Sequence, residues 1–318
     1  MNIALHIDEI INLALQKKYL TVIEKEKIAF IINPKSGTVS KKNIPDLVND
    51  NLDMRKYEPV FHFTREAGHA TRLAEKCLNE NIKKIIAVGG DGTVNEVAKA
   101  LINKDAAFGI LPGGSGNGLA RHLNIPLKTV DAISMLDNCS ESAIDYGTIN
   151  DHPFFCTCGV GFDAHIGNKF AQSKSRGFYT YIKETIYAFF HYRSKKYKVR
   201  VDDQKFKNEA FMITIANAGQ YGNDAYISPS ADIRDGLLDV CILSPFPKVK
   251  AFDLGIRLFK RTIDKSDYVE VIKGKKVTIK RKKKGVVHLD GEPAIMGKKL
   301  KITIKHLGLK VLVMNYHK

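Results

Sequence analysis

The chain has 318 residues, 44% of them hydrophobic and 26% charged, a composition typical of a globular protein with room for about two domains. Its 50 basic and 34 acidic residues give a formal charge of +16, which favours an anionic partner surface. Disorder is disfavoured, five scattered cysteines form no disulfide framework, and no segment has the roughly 20 apolar residues that span a membrane. Because no basic region precedes the N-terminal apolar positions, we expect a cytoplasmic protein.

Residues 1–24 carry apolar side chains at helical spacing: Ile3, Ile7, Ile10, Ile11 and Ala14. This pattern predicts an amphipathic helix that packs on its own domain or on a second subunit, which leaves a homodimer open. Membrane attachment is the alternative, less favoured because the opening turns lack lysine and arginine. Between residues 25 and 147, short apolar runs alternate with polar turns and helical stretches, which predicts an α/β domain with a mostly parallel sheet. The predicted strands are Ile28–Ile32, Val60–Phe63, Ile85–Val88 and Phe108–Leu111.

Strand patterns dominate residues 148–318, with helical stretches near Gly177–Tyr192 and Lys248–Lys260. This predicts a second domain built as an antiparallel β-sandwich, whose last strand can return to the first domain. A cleft between the domains is then the natural active site. The predicted strands are Phe154–Val160, Tyr197–Val201, Phe211–Ala216, Leu238–Leu243, Tyr268–Ile272, Val277–Lys280, Val286–Leu289, Leu300–Ile304 and Val311–Met314.

The excess positive charge is concentrated in the second half, around the unbroken basic run Lys280–Lys284. Two interpretations are open: a solvated hairpin edge that discourages aggregation, or a surface that attaches the protein peripherally to an anionic membrane. We expect no nucleic-acid partner, because the chain lacks Trp and the run lacks an aromatic residue on which a base could stack.

Polar or glycine-rich loops follow all four predicted strands of the first domain. The loops are Asn33–Gly37, the turn after Thr64, Gly89–Thr93 and Leu111–Gly118. Because ligands bind at the carboxyl ends of parallel strands, these loops should converge on one crevice. Glycine lets the backbone approach a phosphate closely, and a helix N-terminus attracts an anion. Asp91, in the third loop, would repel a polyphosphate unless a cation or a hydroxyl lies between them, which suggests Mg²⁺–nucleotide chemistry.

Other nucleotide and hydrolase motifs are incomplete. The Gly-Lys pairs at Gly274 and Gly297 are followed by lysine instead of Ser or Thr, which excludes a Walker motif. Asn95 occupies the third glycine position of a dinucleotide fingerprint, and Asn117 stands where a hydrolase nucleophile elbow needs glycine.

Taken together, three glycine motifs resemble the diacylglycerol kinase catalytic-domain family, which includes bacterial lipid kinases, sphingosine kinases and ceramide kinases. The resemblance runs from about residue 27 onwards. It rests on Asn33–Gly37, Gly89–Glu96 and Leu111–Asn117, and then on Ile144–Gly147, Gly159–Asp163, Asp235–Asp239 and Asp290–Glu292. It implies transfer of a phosphoryl group from ATP, with Mg²⁺, to a lipid hydroxyl.

The resemblance also implies roles for particular residues. Asp91 matches an essential aspartate, and Glu292 matches a proposed general base, although a turn residue in Asp-Gly-Glu-Pro is the alternative. Asp145 matches a position in a substrate or metal network, with capping as its alternative. Asp232, Asp235 and the carbonyl of Leu237 match a structural Mg²⁺ site, for which an ordinary Asp-Gly turn is the alternative. The implied nucleotide-binding residues are Asn33, Pro34, Lys35, Ser36, Gly37, Thr64, Gly89, Gly90, Gly92, Thr93, Asn95, Glu96, Gly114, Ser115, Gly116 and Asn117.

Gly118 departs from the bacterial diacylglycerol kinase pattern, which often has aspartate there, and looks more like the sphingosine and ceramide kinase loop. The lipid substrate is therefore left open. A soluble-metabolite kinase such as an NAD kinase, and a non-catalytic lipid or nucleotide sensor, are the alternative functions. Aromatic residues between Phe178 and Phe190 are interpreted either as core or as an acyl-chain groove.

Overall fold

The computed structural model describes residues 25–36, 43–172, 185 and 187–315. The helix predicted at 1–24 and the predicted nucleotide ligand Gly37 lie outside these residues. The first half contains β1 (Glu26–Ile32), α1 (Ile44–Asn51), β2 (Tyr57–Phe63), α2 (His69–Asn79), β3 (Lys84–Gly89), α3 (Asp91–Leu101), β4 (Ala107–Pro112), α4 (Gly118–His122) and α5 (Thr129–Met135).

The second half is mostly strand. It contains β5 (Cys139–Ile149), β6 (His152–Phe154), β7 (Thr157–Gly161), α6 (Phe162–Gln172), β8 (Lys195–Val201), β9 (Gln204–Ala210), β10 (Met212–Ala216), β11 (Leu238–Leu243), α7 (Ala251–Phe259), β12 (Val269–Gly274), β13 (Lys276–Lys280), β14 (Gly285–Leu289), β15 (Glu292–Met296) and β16 (Lys299–Met314). Residues 187–191 are helical, and a 3₁₀ turn at Lys248–Lys250 precedes α7.

The four strands of the first half pair in the order β2-β1-β3-β4, all parallel. The inner strands are almost wholly apolar, and Ile28–Ile32 is completely buried, because helices cover both faces of a parallel sheet. This confirms the predicted α/β domain. It also places the carboxyl ends of all four strands, and the loops that follow them, along the same edge of the sheet.

The second half is antiparallel, as predicted. A six-stranded sheet has the order β12-β11-β10-β7-β14-β15. Its inner face packs against β8, β13 and the first part of β16 in one continuous core, so the two sheets stack as layers. Representative core residues from the two layers are Val160, Ile213 and Val240 on one side and Val199, Ile279 and Leu300 on the other.

One strand, β16, joins the two halves. Its first residues pair with β13, Val311 lies beside Phe108 of β4, and β5 runs antiparallel along most of its length. The sequence predicted two separate strands here, Leu300–Ile304 and Val311–Met314. The two predicted strands form one continuous strand. The residues between them make a bulge from Lys305 to Leu309, where the pairing register shifts and Leu307 takes a positive φ of 50°.

The single strand predicted at Phe154–Val160 is divided into β6 and β7. Phe155 and Cys156 lie in the break, and their backbone N–H groups donate to the carboxylate of Asp290, far along the chain. No helix within the described residues is long and apolar enough to cross a membrane.

Candidate active site

The loops after β1, β3 and β4 are in direct contact. Asn33 Nδ2 donates to Thr93 Oγ1 at 3.0 Å, and the backbone N–H of Gly113 donates to the carbonyl of Gly89 at 2.8 Å. The loop after β2 begins at buried Thr64, whose N–H donates to the carbonyl of Ile32. The sheet thus brings the predicted nucleotide loops together.

Two glycines touch at the centre of this region. A Cβ on Gly114 would stand 2.7 Å from Gly90 Cα, well inside the contact distance of two carbon atoms. The loops after β3 and β4 can approach this closely only because neither residue has a side chain. The result is a backbone surface at the N-terminus of α3, where N–H groups and the helix dipole favour a phosphate.

The carboxylate of Asp91 is held by the neighbouring loop. It accepts the N–H of Asn117 at 3.1 Å through Oδ2 and the N–H of Gly118 at 2.9 Å through Oδ1. Gly116 must lack a side chain here, because its Cβ would stand 2.7 Å from Asp91 Oδ2. Asp91 is half-buried, so its orientation is fixed while its remaining lone pairs can reach a ligand.

The side chain of Asn117 closes its own loop. Its Oδ1 accepts the N–H of Gly114 at 3.0 Å, and its Nδ2 donates to the Gly114 carbonyl at 2.9 Å. Asn117 has a φ of 51°, a conformation that asparagine tolerates better than most residues. These bonds shape the loop that orients Asp91, and they leave Ser115 exposed at its tip.

Glu292 comes to the same region from the second half. It is the first residue of β15, directly after a two-residue turn in which Asp290 and Gly291 have positive φ values of 49° and 86°. Its Oε1 lies 3.3 Å from where a Cβ on Gly92 would stand. Glu292, predicted to be catalytic, therefore lies against the first turn of α3, the helix that begins at Asp91, although 200 residues separate the two carboxylates in sequence.

A cavity of about 400 Å³ adjoins Glu292. Its lining is mixed. Lys99, His152 and Glu292 contribute polar groups, and the apolar lining residues are Pro153, Leu289, Pro293, Ala294, Ile295 and Met296. A second cavity, of about 640 Å³, lies on the basic strands β8 and β13 and contains no candidate site residue. The smaller cavity is the one next to the candidate chemistry.

Asp290 positions the hairpin that carries Glu292, a role that the sequence did not reveal. Its carboxylate accepts three backbone N–H groups, from Phe155 at 2.9 Å, Cys156 at 2.7 Å and Thr157 at 3.0 Å. Burial raises the pKa of the Asp290 carboxyl, and the three N–H bonds act in the opposite direction. The turn is thereby fastened to the start of β7.

A second buried network supports the same hairpin. Asp163 of α6 accepts the hydroxyl of Thr214 at 2.7 Å and lies 3.0 Å from Nε2 of His288, which is on β14. A Cβ on Gly167 of α6 would be 3.3 Å from the carbonyl of Gly291, so the helix lies directly against the turn. The sequence drew attention to Asp163 only as part of a motif.

Glu96 bonds to a neighbouring helix. Its two carboxylate oxygens accept the N–H groups of Gly68 at 2.7 Å and Ala70 at 3.0 Å, at the N-terminus of α2. A carboxylate at this position stabilises the helix through its free N–H groups and its dipole. Glu96 thus fixes α2 against α3, whereas its predicted contact with a nucleotide stays a prediction.

The remaining predicted nucleotide residues lie on or beside the loops. Pro34 and Lys35 are exposed after β1, and the Ser36 hydroxyl donates to the Asn33 carbonyl at 3.0 Å. Asn95 is buried in α3. A larger side chain at Gly89 would collide with Thr93, which explains a glycine at the end of β3.

Asp145 is completely buried and ties two segments together. Its Oδ2 accepts the N–H of Gly236 at 2.7 Å, and its Oδ1 accepts the N–H of Leu307 at 2.7 Å and lies 2.8 Å from His306 Nδ1. Asp145 therefore holds the loop before β11 against the bulge of β16. All of these partners are protein groups.

One of the predicted metal ligands of the second half, Asp235, is paired with a lysine. Lys273 Nζ lies 3.1 Å from Asp235 Oδ2 and 3.1 Å from Asp239 Oδ1, and Asp239 is only 2% exposed. The other Asp235 oxygen accepts the N–H of Leu237, and Asp232 accepts the N–H of Arg234. A Mg²⁺ ion at Asp235 would have to displace Lys273, so these residues do not fit the metal as arranged. Nowhere among the described residues do three or more His, Cys, Asp or Glu side chains form a metal-binding group.

Comparison with known proteins identifies the family. Residues 27–149 match the model of the diacylglycerol kinase catalytic domain, and residues 156–309 match that of the YegS C-terminal NAD kinase beta sandwich-like domain. A Pseudomonas aeruginosa (strain UCBPP-PA14) protein named "Probable lipid kinase YegS-like" is 31% identical over 80% of this chain and 84% of its own length. The Bacillus subtilis (strain 168) protein named "Diacylglycerol kinase" is 25% identical over 84% and 90%.

A solved structure shares the fold. A diacylglycerol kinase from Bacillus anthracis str. Sterne superposes with a TM-score of 0.70 at 20% identity, covering 92% of this chain and 98% of its own. A superposition that covers this much of the chain includes both halves. From the family models and the 31% identical relative, the chain belongs to the family of lipid kinases with a diacylglycerol kinase catalytic domain.

Proposed function

We propose that this protein is an ATP-dependent lipid kinase that transfers the γ-phosphoryl group to a lipid hydroxyl in the cleft between its two halves. The observation that carries the proposal is that Glu292 lies against Gly92 in the first turn of α3, the helix that begins at Asp91, beside the touching glycines Gly90 and Gly114. We assign the nucleotide to residues 25–147 and the lipid to residues 148–318.

Backbone groups supply most of the proposed nucleotide site. The phosphates of ATP lie against the loops after β3 and β4, where glycines admit close approach and the N-terminus of α3 attracts negative charge. Asp91 would hold a Mg²⁺ ion bound with these phosphates, because its carboxylate is oriented by two N–H groups and still has free lone pairs. When bound, this ion neutralises negative charge that develops on the phosphates during transfer.

Glu292 serves as the general base. Its carboxylate is exposed at the cleft and accepts the proton of the lipid hydroxyl as the acceptor oxygen bonds to the γ-phosphorus. The bond between that phosphorus and the bridging oxygen breaks, and ADP leaves. Asp290 and the network of Asp163 hold the hairpin so that Glu292 reaches α3.

A lipid acceptor is supported by the family, and the cavity beside Glu292 offers apolar side chains such as Leu289 and Met296 along part of its lining. The particular lipid stays open, because Gly118 replaces the aspartate that many bacterial diacylglycerol kinases have. We further propose that the protein acts at a membrane surface, which it reaches as a peripheral protein.

The test measures transfer of radiolabel from ATP to diacylglycerol, a sphingoid base, ceramide or phosphatidylglycerol in mixed micelles with Mg²⁺, and identifies the product by mass spectrometry. Asp91→Asn and Glu292→Gln should each lower transfer by at least about 10²-fold, because each removes a carboxylate that acts on the reacting groups. Asp131→Asn, at an exposed position on α5, is the matched control and should behave as wild type.

Phosphorylation of NAD instead of any lipid would identify a soluble-metabolite kinase and refute the lipid assignment. ATP binding without transfer to any acceptor would favour a sensor. Equal activity in Glu292→Gln and wild type would remove Glu292 from the mechanism.

A further inference from the structure

An exposed apolar stripe runs along α7 and the turn before it. Val249 and Phe252 are 85% and 80% exposed, and Ile256 and Phe259 are also exposed. At 3.6 residues per turn these four positions fall within an arc of about 80° on one side of the helix. Single exposed apolar residues are common on protein surfaces, whereas a contiguous group of large ones marks an interaction surface.

The stripe continues onto the neighbouring helical residues 187–191. Tyr187 and Phe190 are more than half exposed. Lys248 joins the two segments, because its Nζ donates to the Phe190 carbonyl at 3.3 Å and lies 5.3 Å from the centre of the Phe190 ring. We call the six residues Tyr187, Phe190, Val249, Phe252, Ile256 and Phe259 the docking face.

Among the residues that the structure describes, the docking face is not part of the core. The opposite side of α7 buries Leu254 in a cluster with Phe211 and Met212, and Phe189 stacks on Phe246 in the same cluster. The helix therefore has one apolar side for the core and a second one that faces outward. A surface helix that only packs on its own domain needs a single apolar stripe.

Basic residues surround the docking face. Residues 246–265 contain six basic and two acidic side chains, a net charge of +4, and Asp253 is paired with Arg257 at 2.9 Å. Lys250, Lys260 and Arg261 are exposed beside the stripe. An apolar centre with a cationic rim matches an anionic lipid surface, since the rings enter the headgroup region while the lysines contact the phosphates. Two copies of this face would instead bring like charges together.

The docking face is connected to the candidate active site by one short segment. Tyr226 donates its N–H to the carbonyl of Leu258 in α7 at 2.9 Å, and its ring lies under Arg261 at 4.1 Å. Three residues earlier, the N–H of Asn223 donates to the carbonyl of Gly116, next to the N–H groups that hold Asp91. A membrane contacted by α7 therefore lies one loop away from that carboxylate.

We propose that the docking face inserts into the surface of an anionic membrane and brings the cleft to its lipid acceptor. This inference rests on the proposed lipid kinase function. It differs from attachment through the lysine-rich run after β13, where Arg281 is engaged internally: its side chain donates to the backbone carbonyls of Gly285, Val286, Met296 and Gly297.

The experiment measures co-sedimentation of the full chain with vesicles of phosphatidylcholine alone or mixed with phosphatidylglycerol, at rising salt. The double variant Phe252→Ser with Phe259→Ser should bind mixed vesicles about tenfold more weakly or worse, because two rings no longer enter the lipid. Lys250→Gln with Lys260→Gln should lose about fivefold per lysine at low salt and show a smaller salt dependence.

Two matched controls separate this face from the rest of the surface. Leu127→Ser with Val130→Ser removes two exposed apolar residues from the first half and should bind as wild type. Lys282→Gln, Lys283→Gln and Lys284→Gln together remove the exposed lysines of the basic run and should also bind as wild type. Circular dichroism and urea unfolding establish that each variant is folded.

Unchanged vesicle binding in the double phenylalanine variant would overturn the proposal, as would loss of binding only in the triple lysine variant. A wild-type dimer that this variant dissociates, with vesicle binding unaffected, would show that a second copy occupies the face. Transfer to a short-chain, water-soluble form of whichever lipid wild type phosphorylates should be equal in wild type and the phenylalanine variant. If wild type transfers phosphate to no acceptor, the kinase proposal fails, whereas the vesicle measurement still decides the docking proposal.

Discussion

The contact between Gly90 and Gly114 predicts that a side chain at position 114 weakens ATP binding, whereas one at Gly118, in the same loop, does not. Gly114→Ala places a Cβ 2.7 Å from Gly90 Cα, whereas carbon atoms in contact are about 3.5–4.0 Å apart. The loops after β3 and β4 must therefore separate by about 1 Å, and overpacking of this kind costs about 1–3 kcal/mol of folding free energy. A displacement of about 1 Å in a site that positions phosphates can lower the rate about 10²-fold.

Gly118→Ala is the matched control, because the nearest atoms to its Cβ lie at 3.6 Å, an ordinary contact, and its φ is not positive. It should bind ATP as wild type does and gain up to about 1 kcal/mol of stability through a less flexible unfolded chain. Titration calorimetry with an ATP analogue and urea unfolding measure the two quantities. Unweakened ATP binding by Gly114→Ala, or equal losses in both variants, would refute the reasoning that close backbone approach forms the nucleotide site.

The remaining predictions concern two buried carboxylates, Asp290 and Asp239. Asp290→Ala leaves three backbone N–H groups without their acceptor and should lower the free energy of unfolding by about 3 kcal/mol or more in urea titrations; a loss below 1 kcal/mol would contradict this. Because burial raises the pKa of Asp290, the native state holds that proton more tightly than the unfolded state. This contribution to stability is therefore lost as pH rises from about 4 through the native pKa, and Asp290→Asn should remove it. Lys273→Met leaves buried Asp239 without its cation and should cost about 2 kcal/mol, whereas a chelator should leave the wild-type urea midpoint unchanged; a fall in that midpoint would restore a metal to this site.

The sequence was informative where a local pattern determines structure. Continuous apolar runs predicted the buried parallel strands, and the loops after them were predicted to converge because parallel strands place their carboxyl ends at one edge. Asp91 could be singled out in this way, since a carboxylate between glycines has few structural reasons to be there.

Features that depend on distant contacts could not be predicted. The break at Phe155 requires Asp290, and the contact of Glu292 with Gly92 requires the two halves to be packed together. In a lysine-rich segment, no local signal distinguishes Lys273, which balances two carboxylates, from its solvated neighbours. The contacts of Asp145 with Gly236 and Leu307 also depend on distant segments, and its predicted place in a substrate or metal network stays a prediction.

The position of β16 in the chain has a consequence for folding. This strand pairs with β4, β5 and β13, yet it follows every other described strand in sequence. During synthesis the parallel sheet therefore exposes the edge of β4 until β16 emerges, and an uncovered edge strand is a template for aggregation. We expect refolding to be slow for the size of the chain, because its last pairings join residues that are far apart in sequence, such as Phe108 and Val311. The two halves should then gain stability together, in the late step in which β16 pairs. A substitution that weakens β16 should therefore lower the stability of both halves.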